Sequence, residues 1–144
     1  MDTGKKFEAE IRASLKDANC FWFRIQDTND ASRFVNQAVA EKQPGDFLAV
    51  YEGMPILIEC KTSRRTKSFP LFYGKTPSIP LHQIEGGAEM EASGGLSFFL
   101  LRRDETRKKR VWAVRPDGII QLYSAAKKKS IPWDEIEKHP LSVE

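Results

Sequence analysis

Apolar positions divide the chain into segments of two different periods. Over residues 3–18, Phe7, Ile11, Leu15 and Ala18 recur at helical spacing and predict an amphipathic helix with one buried stripe. Glu8 lies beside Leu15 at the edge of that stripe, where an acid can be aimed into a site shared with a sheet. Glu10 lies further round toward solvent, and its replacement is expected to leave the protein unaffected. Residues 20–25 are rich in aromatics and read as a buried strand. Residues 26–43 are polar, with a short helix around 33–40. Two apolar runs, 47–51 and 56–58, flank Glu52-Gly53 and read as a β-hairpin that Pro44-Gly45 opens.

Past the hairpin, residues 69–78 hold Pro70, Gly74 and Pro77 and read as a loop with aromatic anchors. Pro80 opens a helix to about Ser93 with Leu81, Ile84 and Ala88 facing inward, although Gly86-Gly87 weakens it. Runs 96–101 and 110–114 are strands joined by a strongly basic turn at 102–109. Residues 119–123 suggest a short edge strand, and 132–138 a last helical turn. This order predicts an α/β fold, a mixed β-sheet flanked by helices, in a single domain spanning 1–144.

The hairpin carries the chemistry. A two-residue turn at Glu52-Gly53 sets Asp46 opposite Glu59 on one face, with Cβ atoms about 4.5–5.5 Å apart. Two carboxylates at that distance need a proton or a cation between them. Lys61, two residues beyond Glu59, projects from the same face, while Cys60 points away. An Asp, a Glu and a Lys converging at the end of an apolar hairpin suit a hard divalent ion beside an amine. Taken alone, the hairpin is equally a strand end with ordinary surface charges. Directly after it comes Thr62-Ser-Arg-Arg-Thr-Lys-Ser68, whose basic and hydroxyl side chains suit phosphate contacts next to a carboxylate cluster.

Charge and composition narrow the classes. The 23 basic and 20 acidic residues leave a net charge of only +3, but the basic ones are clustered. No run of 18 apolar residues and no charged-then-apolar leader occurs, so a membrane span or secretory signal is not expected. The two cysteines, Cys20 and Cys60, lack metal-ligand spacing and fit buried free thiols in a reducing cytoplasm. His82 and His139 are too few and too scattered for a zinc site.

These residues also carry a family resemblance. Gly-Asp, a hairpin and Glu-Cys-Lys resemble the PD-(D/E)XK nuclease signature, and Gly4-Lys-Lys-Phe-Glu8 is similar to the extra acidic motif of its Holliday-junction resolvases. The segments 51–62, 67–71 (Lys-Ser-Phe-Pro-Leu), His82-Gln-Ile-Glu85, Gly95-Leu-Ser-Phe-Phe and Lys129-Ser-Ile-Pro-Trp-Asp-Glu135 follow the order of RecU-type resolvases. The resemblance implies a restriction-endonuclease-like core. It implies Mg²⁺, with Mn²⁺ as a substitute, held by Asp46, Glu59 and the backbone carbonyl of Cys60. Lys61 would orient or activate water, Glu8 would complete the acidic site, and Gln83 would position Lys61 or a phosphate. Arg33, Lys42, Arg64, Arg65, Lys67 and Lys75 would contact nucleic acid. Branched DNA, a homodimer and a cytoplasmic setting follow from the same likeness. Two departures stand out: glycine precedes the aspartate, with Pro44 one place further back, and the segment before Asp46 is shorter than the family's protruding stalk. Three readings stay open: a junction resolvase, a nuclease of flaps, ends or foreign duplex, and a non-catalytic DNA-binding protein.

Overall fold

A computed structural model describes residues 3–25, 43–104, 109–139 and the backbone of 142–143. Arg33, Lys42 and the short helix expected at 33–40 lie outside the described residues. Helix α1 (Thr3–Asp17) is followed by β1 (Phe21–Arg24) and by the hairpin β2 (Phe47–Tyr51) and β3 (Met54–Ser63). Three short strands, β4 (Ser68–Pro70), β5 (Phe72–Tyr73) and β6 (Thr76–Pro77), lead to α2 (Leu81–Ala92). Strands β7 (Leu96–Asp104) and β8 (Lys109–Val114), α3 (Pro116–Ala125), β9 (Ser130–Pro132), α4 (Trp133–Lys138) and β10 (Ser142–Val143) complete the order. One mixed sheet runs β1-β2-β3-β7-β8-β10, parallel only between β3 and β7. This is the mixed sheet flanked by helices that the sequence predicts.

The hairpin turn is a two-residue one. Glu52 and Gly53 both take positive φ, 50° and 80°, and Tyr51 pairs with Met54. Such a turn matches strand twist and sets the register Phe47↔Ile58, as expected. Alternation along β7 then divides the sheet's two faces. Phe99 and Leu101 join the main core with Ile84, Trp112, Ile119, Trp133 and Ile136. Arg102 turns to the other face, where its guanidinium lies over the Phe7 ring of α1 at 5.1 Å.

Several expectations are corrected. Residues 20–25 do not form a buried strand: β1 is the terminal strand of the sheet, and Phe21 and Phe23 are 67% and 45% exposed. An edge strand made of aromatics looks like a core strand in its composition alone. The two free thiols are only half-buried. Residues 119–123 are not a strand but the centre of α3, because Pro116 at the first turn starts a helix whose Ile119 and Leu122 face the core. The basic segment at 102–109 is no turn at its start, since β7 continues to Asp104 and Arg102 is buried. Ala18 falls past the end of α1 and is exposed.

Helix α2 is rotated from its expected setting. Leu81 and Ala88 are exposed, while Ile84 and Gly87 are buried. The glycines are the reason. A Cβ on Gly87 would lie 2.6 Å from Ser97 Oγ, and one on Gly86 2.6 Å from Pro44 Cβ. With no side chains there, α2 packs directly onto β7 and onto the segment that leads into β2. That close approach puts Gln83 over the sheet end where Glu59 stands.

Candidate active site

Asp46 sits where the hairpin ladder stops. Its N–H donates to the Ile58 carbonyl at 2.8 Å, and its Oδ2 accepts the Cys60 N–H at 2.8 Å. The carboxylate therefore replaces a main-chain rung rather than standing as one more cross-strand pair. Gly45 fits this crowding, because a Cβ there would lie 3.1 Å from the Ile58 carbonyl oxygen. The glycine before the aspartate is thus explained by contact, and Pro44 one place back packs against Gly86 of α2.

Glu59 is 5% exposed and lies on the α2 face of β3. Its Oε1 meets Lys61 Nζ at 3.3 Å and accepts from Gln83 Nε2 at 3.1 Å. Its Oε2 is buried without a hydrogen-bond partner, as is Gln83 Oε1. Burial, then the charge of Asp46, pushes the Glu59 carboxyl up to about 8, against the pull of Lys61. Glu8 approaches from α1. It is raised by burial and by Asp46, and Arg24 counters this through a contact of 3.3 Å. Burial first, and these acids second, push the Cys60 thiol up, so it is no thiolate ligand or nucleophile.

The expected residues Glu8, Asp46, Glu59, Lys61 and Gln83 therefore meet at one end of the sheet. A hard divalent ion fits them, because oxygen donors predominate and the orphaned Glu59 Oε2 is a lone pair that a cation would satisfy. Among the described residues, no three His, Cys, Asp or Glu side chains stand together at ligand spacing. Two carboxylates, a carbonyl, water and phosphate oxygens form the shell that Mg²⁺ commonly takes.

One charged residue escapes notice in the sequence, and another has a partner that the sequence does not reveal. Arg24 on β1 reaches Asp46 Oδ1 at 3.4 Å as well as Glu8. Its place is hidden because β1 reads as an apolar strand, and only pairing with β2 brings it to the site. Glu10 is 56% exposed on its side chain, yet it pairs with buried Arg102 at 2.5 Å. Glu10 thus lies toward solvent, as expected, but it also ties α1 to Arg102 on the sheet, a contact that the helical spacing does not show.

Arg64, Arg65 and Lys67 are exposed directly beyond β3, and Lys75 is exposed in the β5–β6 turn. The loop backbone is pinned, with Trp133 Nε1 donating to the Arg65 carbonyl at 2.9 Å. Arg65 also lies over the Tyr73 ring at 5.9 Å, which links this loop to the Lys75 turn.

The raised Glu59 carboxyl predicts a pH signature. A carboxyl whose folded pKa lies above its unfolded value of 4.5 stabilises the fold fully below that value, and loses this contribution as pH rises through about 8. In chelator, the melting temperature should fall between about pH 5 and 8, by the equivalent of about 3–5 kcal/mol at most. Glu59→Gln should flatten that fall. Equal slopes for parent and variant in thermal melts would show that folding does not raise the Glu59 carboxyl.

Comparison with known proteins agrees with this geometry. Residues 3–144 match the family described as Recombination protein U. A Holliday junction resolvase RecU of Streptococcus gordonii is 31% identical over 100 residues, which are 69% of this chain and 46% of the relative. One from Geobacillus kaustophilus is 30% identical over 101 residues, 68% of this chain and 47% of the relative. The chain thus spans about half the length of the curated relatives it matches. The solved structure of Archaeoglobus fulgidus Hjc, a Holliday junction resolvase, superposes with a TM-score of 0.58 at 16% identity, covering 99% of this chain and 92% of that one. The fold is the restriction-endonuclease-like one.

Proposed function

We propose a function from one established fact: this chain belongs to the Recombination protein U family. It is a Mg²⁺-dependent endonuclease, a single nuclease domain, that cuts four-way DNA junctions in recombination and repair in the cytoplasm. The observation that carries this reading is the buried, unpartnered Glu59 Oε2 beside Asp46 and Lys61. Asp46, Glu59 and the Cys60 carbonyl would hold the divalent ion, which when bound would neutralise charge at the scissile phosphate and make its bound water more acidic. Mn²⁺ substitutes for Mg²⁺.

The chain's own side chains do the rest. Lys61 is tied to Glu59 and presents its remaining N–H donors to the phosphate or the attacking water. Gln83 fixes the Glu59 rotamer through Oε1, which leaves Oε2 for the ion. Glu8 closes the acidic cluster from the α1 side. The exposed loop at Arg64, Arg65 and Lys67, which follows Lys61 along the chain, and Lys75 in the turn that Arg65 reaches through Tyr73 neutralise flanking phosphates.

A resolved four-way junction needs two cuts, so the working unit is a homodimer with one site for each.

The test is a panel of four-way junction, flap and linear duplex in Mg²⁺. The junction should be cut fastest, at paired positions on opposing strands. Faster cutting of flaps or ends would replace junction resolution with general repair, and no cutting of any substrate would leave a DNA-binding protein.

The basic loop has its own signature. Arg64→Ala, Arg65→Ala and Lys67→Ala combined should flatten the slope of log K against log[salt] by up to about 2–3, at roughly 0.9 for each duplex phosphate that is no longer neutralised. An unchanged slope in salt-dependent binding assays would place the DNA on another face.

A further inference from the structure

We infer that Arg24 is the site's resident counter-ion and makes metal uptake depend on DNA; the inference rests on the nuclease reading above. Arg24 is no loose surface cation. Its Nη1 donates to the Asp46 carbonyl at 2.9 Å and to the Ile25 carbonyl, and its guanidinium lies over the Phe47 ring at 5.5 Å. Those three contacts hold the planar group in place. The other nitrogen, Nη2, faces Glu8 Oε2 at 3.3 Å and Asp46 Oδ1 at 3.4 Å. Because Asp46 Oδ2 already accepts the Cys60 N–H, both oxygens of this carboxylate have partners before any ion arrives.

Formal charge explains the consequence. Once an ion is bound and Glu59 has released its proton, the three carboxylates Glu8, Asp46 and Glu59 stand against Arg24 and Lys61 and leave −1. A divalent ion would then overshoot to +1. A phosphodiester carries −1 and supplies oxygen ligands, so protein, ion and phosphate together balance. Without the Arg24 charge the cluster is −2, and the protein alone balances the ion. Arg24 therefore weakens metal binding to the free protein and leaves the deficit for DNA to fill. A unit charge a few ångströms from an ion is enough to change its affinity by tenfold, about 1.4 kcal/mol.

The experiment is Mn²⁺ binding followed by electron paramagnetic resonance, for the parent, Arg24→Gln and Arg24→Lys, each with and without a four-way junction. Without DNA, Arg24→Gln should bind Mn²⁺ at least about tenfold tighter than the parent, while Arg24→Lys stays near the parent value. A merely structural disturbance would weaken binding instead. The junction should tighten Mn²⁺ binding by the parent about tenfold and by Arg24→Gln much less. Equal or weaker binding by Arg24→Gln overturns the inference. So does a parent affinity that the junction leaves unchanged, which needs no variant to fold. If the parent binds no Mn²⁺ even with DNA, the nuclease reading falls along with it.

Discussion

Asp46→Asn is expected to slow junction cleavage by about 10³-fold or more, while junction affinity in chelator stays within about twofold of the parent. Losing a ligand that holds a catalytic divalent ion removes several kcal/mol of transition-state stabilisation, and each 1.4 kcal/mol is about tenfold in rate. Affinity is expected to be set elsewhere, by the phosphate contacts proposed for the basic residues. Asparagine keeps the shape and can still accept the Cys60 N–H that Asp46 holds at 2.8 Å, so the hairpin end is preserved. Single-turnover cleavage alongside gel-shift binding reads both quantities. Cutting at near the parent rate would remove Asp46 from the chemistry. Glu8→Ala should abolish most activity for a related reason, since it borders Asp46 and contacts Arg24.

The second large effect is on stability. Arg102 is 1% exposed, lies over Phe7, and is held by Glu10 at 2.5 Å and Asp104 at 3.6 Å. Arg102→Ala should therefore cost about 3–5 kcal/mol, because it leaves the largely buried Asp104 carboxylate without this cation and removes the guanidinium from the Phe7 ring. For a chain of this size that lowers the melting temperature by roughly 10–15 °C. Glu10→Ala should cost less, about 1–2 kcal/mol, because its carboxylate is more than half exposed and Asp104 still faces the arginine. Arg102 clamps α1 to the sheet, and α1 carries Glu8. Denaturant melts check both, and a Glu10→Ala variant as stable as the parent would show that the pair anchors nothing.

Much of this site is legible in the sequence because it is local. Asp46, Glu59 and Lys61 lie on one hairpin, and a two-residue turn fixes which of them share an end. Helical spacing likewise places Glu8 at the margin of α1. What sequence periodicity misses is long-range. Arg24 reaches the acids only because β1 pairs with β2, and Glu10 matters only because the fold brings Arg102, distant in sequence, against it. The setting of α2 is hidden for a different reason. Gly86-Gly87 reads as a weakness in a helix taken alone, yet it is what lets α2 approach Pro44 and Ser97. Residues 119–123 show the limit of short apolar runs, whose strand or helix character only a neighbouring Pro116 decides.

That Asp46 and Glu59 hold the catalytic ion can be checked by locating Mn²⁺ through anomalous diffraction in crystals of the protein. An anomalous peak is expected within about 2.5 Å of an Asp46 carboxylate oxygen and of Glu59 Oε2, the oxygen that has no hydrogen-bond partner. A well-occupied peak elsewhere, with Glu59 still bound only to Lys61 and Gln83, would contradict it.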